Sequence, residues 1–189
     1  MGPTPENRAT IKICLSGAQS SGKTTLLNAL RGDSFFRGRY SFLTEITRRV
    51  QEQGFTINEK GTDATQRAIM EEHSRRARSP YDAVIDRCSL DGVVYTHYLF
   101  NHGQVTEETL KYAQTIFLHT IYKYHYIFYT DPNIPLVDDG VRSVNKEFKD
   151  EIVTLFNEYI IVYVLPVIVL KGSVQERLDT LKEIICNDL

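Results

Sequence analysis

Cysteine is scarce. The three residues, Cys14, Cys88 and Cys186, lie far apart, with no Cys-x-x-Cys pair and no Cys/His cluster. Neither a disulfide framework nor a zinc site is indicated, and a reducing, cytoplasmic setting is expected. Long apolar runs are missing too: the most apolar stretch, Ile160–Leu170, falls short of a membrane span and carries Pro166. Residues 1–10 form a polar, proline-containing tail without the apolar core of a signal peptide. No excess of one charge stands out, with 22 basic against 24 acidic residues and a net charge of −2. Such a balance sets up no bulk field for a polyanion or an anionic membrane, and no membrane partner is expected. Repeats, low-complexity tracts and Pro/Gly/Ser linkers are absent, so residues 11–189 are expected to form one domain.

What is present is an alternation of strand-like and helix-like segments. Strands are expected at Ile11–Ser16, Tyr40–Thr44, Ala83–Asp86, Tyr126–Tyr129 and Val167–Leu170. Between and after them, helical patterns run over Gly22–Leu30, Glu45–Gln53, Thr65–Arg78, Asp91–Phe100, Glu107–Tyr122, Lys146–Tyr159 and Val174–Ile185. The alternation argues for an α/β fold in three layers, a five-stranded, mostly parallel sheet with helices on both faces. In such sheets ligands sit at the carboxyl ends of the strands, so the residues just past each strand are where chemistry is sought.

Past the first strand, Gly17-Ala-Gln-Ser20-Ser21-Gly22-Lys23-Thr24 matches G-x-x-x-x-G-K-[ST] and opens a helix, the context this phosphate-binding loop requires. Its glycines let the backbone wrap a phosphate chain with N–H groups turned inward, at a helix N-terminus that adds positive potential. Lys23 is expected on the β- and γ-phosphates and the Thr24 hydroxyl on Mg²⁺, with Ser20, Ser21, Gly22 and Thr25 completing the cradle. ATP, or another nucleoside triphosphate, with Mg²⁺ is the expected cofactor.

Past the third strand come Asp86 and Arg87. An acid there can hold Mg²⁺ directly or through water, and the arginine can neutralise charge on a transferred phosphoryl group or orient an acceptor; a strand-end ion pair is the plainer alternative. Past the second strand, Glu45 is placed to take a proton from an acceptor hydroxyl, with Arg48 and Arg49 one turn on. Asp86 and Asp91 are further candidates for that base. Asp138-Asp139-Gly140-Val141-Arg142-Ser143 suits a lid, spanning roughly residues 131–146, that closes with Arg142 over the phosphates. Past the last strand, Gly172 and Ser173 are expected beside the nucleotide base with Arg177 packed on it, though Ser173 also reads as a helix N-cap.

Together these segments resemble a family of small P-loop kinases often grouped with AAA-type ATPases. The family includes nicotinamide-riboside kinase domains and bacteriophage kinases of 5-hydroxymethyluracil in DNA. The resemblance rests on Gly17–Thr24, on Glu45 with Arg49, and on Asp86-Arg87 with Leu90-Asp91-Gly92. Pro132 and Pro135 before Asp138-Asp139-Gly140-x-Arg142-Ser143 extend it, so that it spans nearly all of Ile11–Leu181. Deoxynucleoside kinases are similar at a greater distance, and that similarity implies Glu45 as base and Asp86 as Mg²⁺ partner. Cys88 departs from the pattern, since nucleoside kinases usually carry serine directly after the arginine.

The resemblance implies a kinase moving a γ-phosphoryl group to a nucleoside, nucleotide or related riboside. A hydroxyl on a modified base in DNA is the alternative acceptor. Arg31, Arg37 and Arg39 around Phe35 and Phe36 interleave charge with aromatic rings, as a strand-binding surface would. Arg75, Arg76 and Arg78 form a second basic cluster. A nucleotide-binding regulatory switch is the third reading, in which the acceptor-side acids would have no purpose.

Overall fold

The computed structural model describes residues 10–44, 46, 50, 54, 61–133 and 146–188. Five strands form one sheet: β1 (Lys12–Ser16), β2 (Ser41–Leu43), β3 (Ala83–Asp86), β4 (Tyr126–Thr130) and β5 (Val167–Leu170). Their spatial order is β2-β3-β1-β4-β5, and all four pairings are parallel. The expected strands are all present, β2 being shorter than its apolar run suggested.

Six described α-helices cover the sheet: α1 (Lys23–Gly32), α2 (Asp63–Ala77), α3 (Ser89–Asn101), α4 (Glu107–Thr120), α5 (Lys146–Val162) and α6 (Val174–Asn187). Most of the expected Glu45–Gln53 helix and residues 134–145 of the expected lid lie outside the described residues. Among the described residues no helix is long and apolar enough to cross a membrane.

Alternation along β1 explains the layering. Ile13 and Leu15 face a core built with Leu26, Leu30 and Phe36 on one side and Leu178, Leu181 and Ile185 of α6. Cys14 faces the opposite core, where Met70, Val93, Val94, Phe117 and Phe156 pack from α2 to α5. All five β1 residues are buried, as a central parallel strand covered on both faces requires.

Helix starts differ from their sequence limits for local reasons. The Thr62 side chain accepts from the Thr65 amide, so α2 begins at Asp63, two residues early. α3 begins at Ser89 rather than Asp91, because Asp91 reaches back to accept from the Cys88 amide at 3.0 Å. Cysteine is an unusual residue at such a cap, which hides this start in the sequence.

Gly92 of α3 packs tightly against α2. A Cβ there would run into the Met70 sulfur and stand 2.8 Å from Cδ2 of the buried His73. Alanine would gain about 1 kcal/mol of helix propensity but meet an overpacking cost of about 1–3 kcal/mol. Gly92→Ala should therefore lower stability by about 1 kcal/mol in denaturant titrations. At Gly32, where a Cβ meets nothing within 4 Å, alanine should be neutral or mildly stabilising. A neutral Gly92→Ala would mean that the two helices can part at no cost.

Candidate active site

The loop from β1 to α1 takes its shape from three left-handed positions: Gly17 at φ 139°, Ser20 at 54° and Gly22 at 77°. A side chain at position 17 would also strike the Thr130 hydroxyl at the end of β4. Lys23, buried on the first turn of α1, swings its ammonium back across the loop. It donates to the carbonyl oxygens of Gly17 and Ala18 at 2.7 and 2.5 Å and to Ser21 Oγ at 2.9 Å. Ser21 Oγ shares a 2.6 Å hydrogen bond with Thr130 Oγ1, and Thr130 Oγ1 donates to Ser16 O at 3.1 Å.

Ser20, Ser21, Lys23, Thr24, Asp86 and Arg87 line one small cavity at this loop. Six residues singled out in the sequence are thus brought together by two strand ends, β1 and β3, that pair in register with Leu15 opposite Asp86. Thr24 and Thr25 are exposed on the first turn of α1. The Thr24 hydroxyl and Asp86 carboxylate are hard oxygen donors on one cavity and suit Mg²⁺. Among the described residues the one close group of metal-ligand types is Cys14, Cys88 and Asp91, all buried. Its carboxylate is fully engaged elsewhere.

That carboxylate belongs to Asp91, 1% exposed on the first turn of α3. Oδ2 accepts from Ser16 Oγ at 2.8 Å and the Cys88 amide at 3.0 Å; Oδ1 accepts from the Gly17 amide and Arg87 Nη1, each at 3.2 Å. Four donors offset the desolvation of a buried charge. They also leave no lone pair to take a substrate proton, so of the three candidate bases Asp91 drops out.

Arg87 sits at φ 66°, unusual for a residue with a Cβ, and this turn sends its side chain back over the loop. Besides Asp91 it reaches Gly17 O at 3.4 Å, and its guanidinium lies 5.3 Å from the Tyr95 ring centre. Burial works against its charge, but Tyr95, Asp91 and Asp86 together hold its pKa above that of an ordinary arginine. Tyr95 in turn donates to Gln19 Oε1 at 2.9 Å.

On the other side of Arg87 lies a second cavity, lined by Ile46, Gln66, Ile69, His73, Arg87, Asp91, Gly92 and Tyr95. The Gln66 amide is held 3.0 Å from Thr96 Oγ1, whose hydroxyl also reaches Gly92 O at 2.8 Å. His73 is buried with no partner for Nδ1 among the described residues. Burial, then the charges of Arg76 and Arg87, depress its pKa to about 3. Gln66 and His73 escaped the sequence reading, because a glutamine and a histidine seven residues apart on a helix carry no signal until a cavity opens beside them. Thr130 escaped it as well, lying 109 residues from the serine it touches.

Gly172 and Ser173 follow β5. Ser173 caps α6, accepting from the Glu176 amide at 3.2 Å. Arg177, 4% exposed, donates to Gly172 O at 2.9 Å and Ser21 O at 3.1 Å, which ties the turn after β5 to the phosphate loop. The exit of β2 is pinned by two arginines: Arg76 donates to Thr44 O at 2.9 Å and Arg31 to Thr44 Oγ1 at 3.0 Å. Arg75 and Arg76 both engage Glu72, at 2.6 and 2.8 Å, and although burial opposes it they hold that carboxyl at about 2. Glu45, Arg48, Arg49, Arg142 and the Asp138–Ser143 segment lie outside the described residues.

His73 makes the fold acid-sensitive with a calculable sign. Its pKa falls from an ordinary 6.5 to about 3, so below 6.5 the unfolded chain takes up a proton that the folded chain refuses. Stability is untouched above that pH and drops by up to about 1.4 kcal/mol per unit as pH falls from 6.5 toward 3. His73→Gln should remove about one proton's worth of slope between pH 6.5 and 5 in urea titrations. The remainder belongs to groups such as His97 and His125, also shifted down by burial. An unchanged slope would mean the imidazole is hydrated in the native state.

A family profile described as "AAA domain" matches residues 12–177. Among solved structures, the chain is similar to NadR protein in complex with NR, with TM-score 0.73 and 18% identity over 93% of this chain. It spans only about half that protein's length (51%). Deoxyadenosine kinase from M. mycoides aligns with TM-score 0.70 and 14% identity over 95% of this chain and 100% of that one. Thymidylate kinase from Candida albicans aligns with TM-score 0.58 and 16% identity over 95% and 92%. The sequence has no match among curated proteins. The chain therefore belongs to the AAA domain family, with the fold of the small P-loop kinases.

Proposed function

We propose that the protein is an ATP- and Mg²⁺-dependent kinase that transfers the γ-phosphoryl group to a nucleoside, nucleotide or related riboside. The observation that carries this reading is Arg87, whose side chain borders both cavities. A cation between a phosphate loop and a second pocket is where a phosphoryl group in transit concentrates its charge. The second cavity pairs apolar walls (Ile46, Ile69, Tyr95) with the hydrogen-bonding Gln66 and a neutral His73, a lining that suits a flat heteroaromatic base. The names of the structural neighbours, kinases of a nucleoside and of a nucleotide, agree with it.

In this reading the loop amides and Lys23 hold the triphosphate, Lys23 exchanging its carbonyl partners for phosphate oxygens. Mg²⁺, held by Thr24 and Asp86, supplies neutralisation and alignment of the phosphates. Glu45 is the proposed base: its neighbours are Thr44, pinned by two arginines, and Ile46, which lines the second cavity. Arg142 in the lid is proposed to add charge over the γ-phosphate, and Gly172 with Ser173 to flank the base, Arg177 bracing that turn.

A modified base in DNA is the weaker reading. Phe36 is fully buried and Phe35 already carries Arg39 at 4.6 Å, so the rings that would stack an extruded base are occupied. A regulatory switch accounts for the phosphate loop but not for the second cavity.

A γ-labelled ATP screen over nucleosides, nucleotides, nicotinamide riboside and oligonucleotides with normal and modified bases decides among them. Label is expected on a free nucleoside, nucleotide or riboside, above the rate of hydrolysis. Lys23→Ala should lower that transfer about 10²–10³-fold with the fold intact. Label on oligonucleotides alone would select the DNA reading, and hydrolysis with no labelled acceptor would select the switch.

A further inference from the structure

We infer that Asp91 is a positioning residue that holds Arg87 between the two cavities and locks the entry of the phosphate loop to the same point. The inference rests on the kinase reading above and assigns Asp91 a role within it.

Its four donors come from two separate segments. Ser16 Oγ and the Gly17 amide belong to the end of β1, and the Cys88 amide and Arg87 Nη1 to the turn after β3. The carboxylate thus stitches together the loop that would hold the donor nucleotide and the arginine that borders the acceptor pocket. It is buried, saturated and rigid, on the first turn of a helix whose N-terminus favours its charge. Arg87 has no other carboxylate within ion-pairing distance among the described residues. Its left-handed backbone aims the guanidinium back across the loop, and Asp91 and the Tyr95 face fix where that guanidinium stops.

Neither alternative role fits. A proton acceptor for the substrate needs a free lone pair, and a metal ligand beside Cys14 and Cys88 needs one as well. Both lone-pair directions on each oxygen already receive an N–H or O–H. Replacement by asparagine keeps the shape but turns one oxygen into an NH₂ that faces two donors. Arg87 or the loop entry must then let go.

Chemical rescue separates positioning from scaffolding. Transfer from γ-labelled ATP to a mixture of nucleosides, nucleoside monophosphates and nicotinamide riboside is measured in wild type, Arg87→Ala, Asp91→Asn and the double variant, with and without guanidinium ion at non-denaturing concentration. Asp91→Asn should lower kcat at least tenfold, with a smaller loss of fluorescent-ATP affinity from the loosened loop entry. Guanidinium should restore Arg87→Ala several-fold, because Asp91 still offers the anionic seat, and should not restore the double variant. A merely structural Asp91 would lower the baseline and leave the rescue ratio unchanged, which overturns the inference; absence of rescue with Asp91 present overturns it too. Should Asp91→Asn fail to fold, Ser16→Ala removes one of the four donors. In the Arg87→Ala background it should at least halve the rescue ratio, and an undiminished ratio overturns the inference. If wild type labels no acceptor, or Arg87→Ala costs nothing, the kinase reading or the place of Arg87 in it fails and takes the inference with it. If Arg87→Ala is impaired but rescue ignores Asp91, the kinase reading stands and only the inference falls.

Discussion

Parallel hydrogen bonding of β1 to β3 on one side and to β4 on the other constrains everything at the carboxyl edge of the sheet. Because the chain leaves β1 toward one face and returns to its two neighbours from elsewhere, three strand ends finish side by side at the point where strand order reverses. The loops there cannot pair with each other, so each must find partners in side chains or ligands. Ser21 with Thr130, Arg177 with Ser21 O and Asp91 with Ser16 and Gly17 are those partners, each joining segments distant in sequence. The phosphate loop owes its shape to its glycines and its place to these cross-links.

Arginine serves structure here more than surface charge. Arg76 and Arg177 are almost fully buried; Arg177 donates to two backbone carbonyl oxygens, and Arg76 to one and to the Glu72 carboxylate. A guanidinium can satisfy several carbonyls at once from one rigid plane, which a lysine cannot. The basic cluster at residues 75–78 is accordingly not a uniform cationic surface: Arg76 is internal and Arg75 is matched to Glu72.

Most of the fold and one cluster of the candidate site are legible in residue order, and the division has a physical basis. Strand alternation and the glycine spacing of the loop are local, so the sheet, its parallel sense and the gathering of Lys23, Thr24, Asp86 and Arg87 all followed. Asp91 was visible only as a residue beside Asp86-Arg87, because what defines it is a set of four donors from two segments. Arg177 reads in the sequence as a residue beside a base, and its bracing of the turn and loop becomes visible only in its hydrogen bonds. Gln66, His73 and Thr130 gave no signal, since a buried polar residue gains meaning from the cavity or strand end it meets.

The folded-back head of Lys23 has a thermodynamic consequence. Its bonds to the Gly17 and Ala18 carbonyl oxygens already stiffen the loop. An anion entering there meets the loop amides, but the ammonium must leave two carbonyl oxygens to reach it. Those lost bonds offset part of what the ammonium gains, while the loop they hold has less conformational entropy left to lose. Affinity at such a site is the difference between two satisfied states, not the sum of the bonds made to the anion.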